Sequence, residues 1–168
     1  VLPATVQNNG VIKVYYVKDD SQTKTIRYTV EHWVTGESSA RDTDTVTQEV
    51  WINAPDYLTV QTITQKTYVG YKFDSTEPVL PTTVQNNGVI KAYYVKDDSI
   101  TKELSYTIEY YKDGVLVETD IDTEIVWVND PDTLTVDNVD TSNTRYTGYK
   151  FDHTDPAQVP TTIVSGGV

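Results

Sequence analysis

Residues 1 to 21, Val-Leu-Pro-Ala-Thr-Val-Gln-Asn-Asn-Gly-Val-Ile-Lys-Val-Tyr-Tyr-Val-Lys-Asp-Asp-Ser, return at residues 79 to 99 with Thr82 in place of Ala4 and Ala92 in place of Val14. Thr-Lys-Thr-Ile-Arg-Tyr-Thr-Val-Glu at 23 to 31 has its counterpart in Thr-Lys-Glu-Leu-Ser-Tyr-Thr-Ile-Glu at 101 to 109, and Gly-Tyr-Lys-Phe-Asp at 70 to 74 recurs at 148 to 152. All three matches are 78 residues apart. A unit that long exceeds the roughly 20 to 50 residues of solenoid and propeller repeats, so each copy is expected to be a small domain with its own core. The expected divisions are 1–21, the closing strand of a preceding repeat; 22–98, a complete repeat; and 99–168, a second repeat without its closing strand.

Within a unit the apolar residues alternate, and no long window keeps helical spacing. Ile26, Tyr28 and Val30 point one way while Thr25, Arg27, Thr29 and Glu31 point the other, and Leu104, Tyr106, Ile108 and Tyr110 repeat the pattern. The class is therefore mainly β with little helix. Asp113-Gly114 between strand-like runs predicts a tight hairpin, which copy one replaces with a longer polar loop around Gly36. Trp51 and Trp127 are 76 residues apart, so copy one carries two extra residues before its Trp and copy two regains them before Gly148. Pro55 and Pro131 end the Trp-bearing strands. Leu58 to Val60 and Leu134 to Val136 read equally as a helical turn or a strand. Gly70 to Asp74 reads as a strand, Asn86-Asn87-Gly88 as a turn, Val89 to Val95 as the strongest strand, and Lys96 to Ser99 as a polar hinge.

The chain lacks Cys and Met, carries a net charge of −12 and has a pI near 4.4. Missing cysteine excludes disulfides and thiolate metal sites, and fits an exposed, oxidising location. The acidic balance argues against nucleic acid or anionic lipid as partner, since both need surplus Lys and Arg. No apolar run approaches the roughly 20 residues of a membrane span. Any targeting or anchoring segment is expected outside these residues, with no membrane insertion within them.

Tyr-Thr-Ile-Glu-Tyr-Tyr at 106 to 111, Gly-Tyr-Lys-Phe-Asp, the Asn-Asn-Gly turn and Val-Ile-Lys-Ala-Tyr-Tyr-Val at 89 to 95 together resemble the mucin-binding-protein repeats and the related internalin B-repeats of Gram-positive surface proteins. The resemblance covers essentially the whole chain. It implies tandem small β-grasp, ubiquitin-like domains stacked on a cell wall, hence an extracellular, bacterial cell-surface location. Copy one departs from it with Glu31-His32-Trp33, and no mucin contact transfers to a residue here.

Four groups of residues could carry function. Trp33, Trp51, Tyr111 and Trp127 are candidates for glycan stacking, because flat aromatic faces suit sugar rings. Large aromatics are mostly buried, which favours packing against a crossing segment or the neighbouring repeat instead. Asp130 and Asp132 around Pro131 are weak candidates for Ca²⁺, which needs roughly 6 to 8 converging oxygens, and no EF-hand spacing supports them. Lys24 or Lys102, Glu31 or Glu109, and Asn53 or Asn129 supply the residue types of an intramolecular isopeptide bond. Leu2-Pro3-Ala4-Thr5 and Leu80-Pro81-Thr82-Thr83 look like a sortase signal without its Gly, but recurrence at one place in the repeat favours a loop. His32 and His153 are not equivalent positions, and no cysteine, nucleophile elbow or phosphate loop occurs, so neither enzymatic activity nor a cofactor is expected.

Val11, Ile12, Val14, Tyr16 and Val17 are the strand-exchange candidates. They belong to the closing-strand sequence that 99–168 lacks, and an unpaired sheet edge invites a complementary strand; the equal alternative is a window from a longer array, with Val11 to Val17 docked on the first full unit or free. The expected role is a structural or adhesive repeat segment that extends and presents an adhesin or forms a fibre, with strand complementation between units. Its partners are then itself and neighbouring repeats. The alternative is a module binding host mucin glycans through many weak contacts.

Overall fold

A computed structural model describes residues 4–137 and 139–167; Val1 to Pro3, Asn138 and Val168, and with them half of the Leu2-Pro3-Ala4-Thr5 motif, lie outside the described residues. Those described contain ten strands and no helix. The first copy forms β1 (Thr23–Val34), β2 (Asp42–Trp51), β3 (Tyr57–Thr59), β4 (Tyr71–Glu77), β5 (Thr83–Gln85) and β6 (Gly88–Lys96). Its main sheet has the order β2-β1-β6-β4, antiparallel except for the central pair β1 and β6, which run parallel with Val30 opposite Ile90 and Glu31 opposite Lys91. Leu58, left open between turn and strand, lies in β3, which pairs with β5 through Leu58 and Val84.

The alternating pattern of β1 becomes a one-sided core. Ile26, Tyr28 and Val30 are buried against Ile90, Ala92 and Tyr94 of β6 and Leu58 of β3. Each such large apolar side chain contributes roughly 1.5–3 kcal/mol by leaving water. Residues 60–69, which form no regular element, cover this face through Val60, Ile63 and Tyr68. The backbone of an irregular covering segment needs partners, and two buried tyrosines supply them: Gln61 N donates to Tyr28 Oη at 3.1 Å and Lys66 N to Tyr94 Oη at 2.8 Å.

The second copy forms β7 (Thr101–Lys112), β8 (Val115–Trp127), β9 (Thr133–Thr135) and β10 (Thr162–Val164). Asp113 and Gly114 both have positive φ, 49° and 78°, which makes the expected two-residue hairpin between β7 and β8. Leu104, Tyr106 and Leu134 form its small core, and Asp137 N donates to Tyr106 Oη at 3.0 Å as Gln61 N does to Tyr28. Ile108 and Tyr110, core-facing by pattern, are only half-buried, and among the described residues β7 pairs with β8 alone.

The polar hinge is a hydrogen-bonded turn rather than a free link. Asp97 Oδ1 accepts from Ser99 N at 3.1 Å and Oγ at 2.7 Å, and Ile100 N donates to Asp97 O at 3.2 Å. Aspartate followed by Ser two residues on closes such turns with its own side chain. These bonds, Ser99 first and Lys72 later, hold the Asp97 carboxyl below its ordinary value.

Candidate functional site

A cluster of residues that recur between the copies lies where the two copies meet. Trp127 ends β8, and the chain then turns, with Asp130 N donating to Trp127 O at 2.9 Å and Trp127 N to Asp130 Oδ2 at 3.2 Å. The turn aims the indole back at the first copy. Trp127 Nε1 donates to Gly70 O at 3.1 Å, and Asn129 Nδ2 donates to Val69 O at 2.8 Å. The indole meets the edge of Tyr71 with ring centroids 5.3 Å apart, and Lys96 Nζ sits 5.1 Å from its centroid. Gly70 O also accepts from Asp97 N at 2.8 Å, so one carbonyl ties together β4, the exit of β6 and the Trp of the second copy.

Gly70 is required at this seat. Its φ is +80°, and a Cβ there would stand 2.6 Å from Asn129 Nδ2 and 2.8 Å from Trp127 Cζ2. Gly148 occupies the same place in the second copy with φ +83°, and its turn is also formed: Tyr149 N donates to Tyr146 O at 3.2 Å as Tyr71 N does to Tyr68 O at 3.0 Å. A Cβ on Gly148 would meet nothing within 4 Å. Trp51, the counterpart of Trp127, has Lys18 Nζ 5.2 Å from its ring but sends its Nε1–H to Asp19 O at 3.0 Å.

Trp33 and Tyr111, the other aromatic candidates, lie on the outer face. Trp33 pairs across β1 and β6 with Tyr93, donates from Nε1 to Glu31 Oε2 at 2.9 Å, and has Lys91 Nζ 5.1 Å from its ring. Tyr93 Oη donates to Glu77 Oε2 at 2.7 Å, a bond that pushes its phenol above the ordinary value. Tyr111 donates likewise to Glu109 at 2.6 Å. Each outer aromatic is thus steadied by a carboxylate, an arrangement that offers a ring face beside hydrogen-bond acceptors. The four aromatics do not form one patch: Trp51 and Trp127 belong to unit ends and Trp33 and Tyr111 to sheet faces.

A polar network inside the first copy went unread in the sequence. His32 is fully buried, with Nδ1 3.0 Å from Tyr94 Oη and Nε2 3.1 Å from Asp44 Oδ2. Asp44 Oδ1 also accepts from Lys66 Nζ at 2.8 Å, and this bond above all, with His32 adding to it, lowers the Asp44 carboxyl. The second copy places Tyr110 where His32 stands and stacks Arg145 on it, 3.7 Å from the ring, with Arg145 paired to Asp120 at 2.9 Å and Glu118 at 3.1 Å. The signal available beforehand was the pairing of His32 with Tyr110 at one repeat position.

Lys24 and Lys102 do not join the residues expected for a cross-link. Lys24 Nζ donates to Ala54 O at 2.6 Å and pairs with Asp56 at 2.8 Å, while Glu31 lies seven residues along the same extended strand, roughly 23 Å away at ~3.3 Å per residue. The isopeptide trio is therefore not assembled. Lys102 likewise donates to Asp130 O and to Asp132 Oδ1, the latter at 2.6 Å. That ammonium holds both residues named as calcium candidates, and among the described residues no three His, Cys, Asp or Glu side chains converge to hold a metal ion. Compared with protein-family models, with curated proteins and with solved structures, the chain matches none.

Proposed function

We propose that this chain is a structural repeat segment of a bacterial cell-surface protein, extending and presenting an adhesin or forming part of a fibre. The observation that carries the reading is the joint: Trp127 and Asn129 of the second copy pack onto the Val69–Tyr71 turn of the first, and Lys96 of the first copy covers the Trp127 ring. A spacer needs such a contact, because units on free linkers coil and lose reach, whereas docked units add their lengths. Two separate cores, acidic charge, absence of oxidisable Cys and Met, and the sequence resemblance to surface repeats support the same reading. The β-grasp assignment is part of it, supported by the order β2-β1-β6-β4 with its parallel central pair; residues 60–69 take the covering role of a helix. The role requires no catalysis and no cofactor.

The second reading is a mucin- or glycan-binding module, favoured by the outer pair Trp33 and Tyr93 with Glu31 and Glu77 beside them. Binding of the isolated chain to immobilised mucin separates the two. The spacer reading predicts no retention above a charge-matched control, and an adhesin displayed on the repeats whose capture distance grows with copy number. Retention that is lost in Trp33→Ala, with the fold intact, would replace it with the glycan reading.

A further inference from the structure

The strand pairs that open the two copies overlay residue by residue. Thr23 lies opposite Trp51 in the first copy and Thr101 opposite Trp127 in the second, so β8 holds the place of β2. In this common register the two strands are turned inside out. On the core side Tyr28 faces Val46 and Ile26 faces Gln48, whereas Tyr106 faces Asp122 and Leu104 faces Glu124. On the outer side β2 has Thr45 and Glu49 where β8 has Ile121 and Ile125, which are 68% and 69% exposed.

A free edge on this strand belongs to the topology of the repeat: β2 stands last in the four-stranded order β2-β1-β6-β4, as β8 stands last beside β7. An edge strand leaves alternate N–H and C=O groups unpaired, and Pro, charge or shortness usually blunts it. β8 has 13 residues and no Pro, and its outer row is Thr119, Ile121, Thr123 and Ile125. Its charges all lie on the inner row and all are negative. Arg145 takes two of them, Glu118 at 3.1 Å and Asp120 at 2.9 Å, while no ion pair among the described residues reaches Asp122 or Glu124.

We propose that the outer edge of β8 receives an extended segment of another protein in which Lys or Arg alternates with aliphatic residues. The segment pairs its main chain with residues 119–125. Neighbouring strands share their two faces, so its cations fall on the inner row beside Asp122 and Glu124 and its aliphatic side chains fall outside beside Ile121 and Ile125. Main-chain bonds supply affinity and the alternating side chains supply register and selectivity. Charge selects this occupant over a second copy of the chain: an incoming β8 sets carboxylate against carboxylate, and an incoming β2 brings Asp42 and Asp44 to the same row. β2 is no equivalent site, since its outer row, Thr43, Thr45, Thr47 and Glu49, has no aliphatic side chain. This inference does not depend on the cell-surface reading.

The test is a titration of the ¹⁵N-labelled 168-residue chain with a seven-residue peptide of alternating Lys and Val, read by amide shifts. A peptide of the same composition with its Val in one block, and an alternating Glu–Val peptide, are the controls. Saturable shifts centred on Thr119–Ile125 are expected with the alternating Lys–Val peptide alone, while β2 stays unmoved. Ile121→Thr combined with Ile125→Thr, both at exposed positions, should weaken binding about 10-fold or more. Glu124→Gln, which writes the residue of β2 into β8, should weaken it about 3-fold and flatten its dependence on salt. Circular dichroism of each variant checks that the fold persists. No shifts at millimolar peptide, equal binding of the blocked peptide, or shifts on β2 as large as those on β8 overturn the proposal. Self-association of the free chain through these amides also overturns it, by giving the edge to another copy.

Discussion

Trp127 Nε1 donates to Gly70 O across the boundary between the two copies, at 3.1 Å, and that same oxygen accepts Asp97 N at 2.8 Å. The oxygen therefore has both lone pairs engaged, one by the strand leaving the first core and one by the second unit. A rotation of either unit about the linking turn breaks at least one of these bonds and separates Trp127 from Tyr71. The joint holds its angle through this shared acceptor together with the Trp127–Tyr71 ring contact.

Gly70 and Gly148 form a matched pair for measuring this joint. Both have positive φ, so Ala at either position pays a backbone penalty of about 1 kcal/mol. Only at Gly70 does the new methyl strike Trp127, Val128 and Asn129. Gly70→Ala should therefore lose about 1–3 kcal/mol more than Gly148→Ala in urea denaturation, and equal losses would show that the joint contributes no stability.

Removing the indole acts on the second copy most, because its buried core among the described residues is small, Leu104, Tyr106 and Leu134. Trp127→Ala is expected to cost about 2 kcal/mol, less than a fully buried Trp, since the ring is half-buried. Amide hydrogen exchange should speed up across β7 and β8 while β1 and β6 keep their protection.

His32 and His153 differ in what they hold. His32→Ala opens a cavity and strands Tyr94 Oη and Asp44 without their ring-nitrogen partners, at a cost of about 2–4 kcal/mol. His153 has a side chain 75% exposed, so His153→Ala should stay within about 0.5 kcal/mol of the parent chain. Thermal or urea unfolding reads both.

Asp44 gives the acid limb its sign. Its carboxyl is held below 3.8 in the folded chain, by Lys66 first and His32 next, so protons bind the unfolded state more readily. The stabilisation is complete above that ordinary value and is lost as pH falls through the lower folded one. Asp44→Asn should be less stable than the parent at neutral pH, and the gap should close on acidification below 3.8. A gap independent of pH would remove the ion pair from the account.

The local layers of this architecture were legible because they follow from short sequence intervals. Alternation identified β1 and β6, and Asp113-Gly114 fixed the hairpin. Leu58 stayed ambiguous because a three-residue strand has too few residues to display a period. The His32 network was not legible: Asp44 and Tyr94 reach it from two other strands, and only the sheet order brings them together. Trp51 and Trp127 were visible as repeated landmarks, and packing against a neighbouring repeat was among their readings. The partner was not, because it depends on the positive-φ turn at Gly70 coming within reach of Asn129.

Backbone ¹⁵N relaxation of the chain tests the docked joint most directly, since it reads how each copy tumbles. One shared rotational diffusion tensor is expected for amides in Thr23–Lys96 and Thr101–Thr135, with the slow tumbling of one 18.9 kDa body. In Trp127→Ala the two sets should separate. Independent, faster tumbling of the two copies with Trp127 in place would contradict the account.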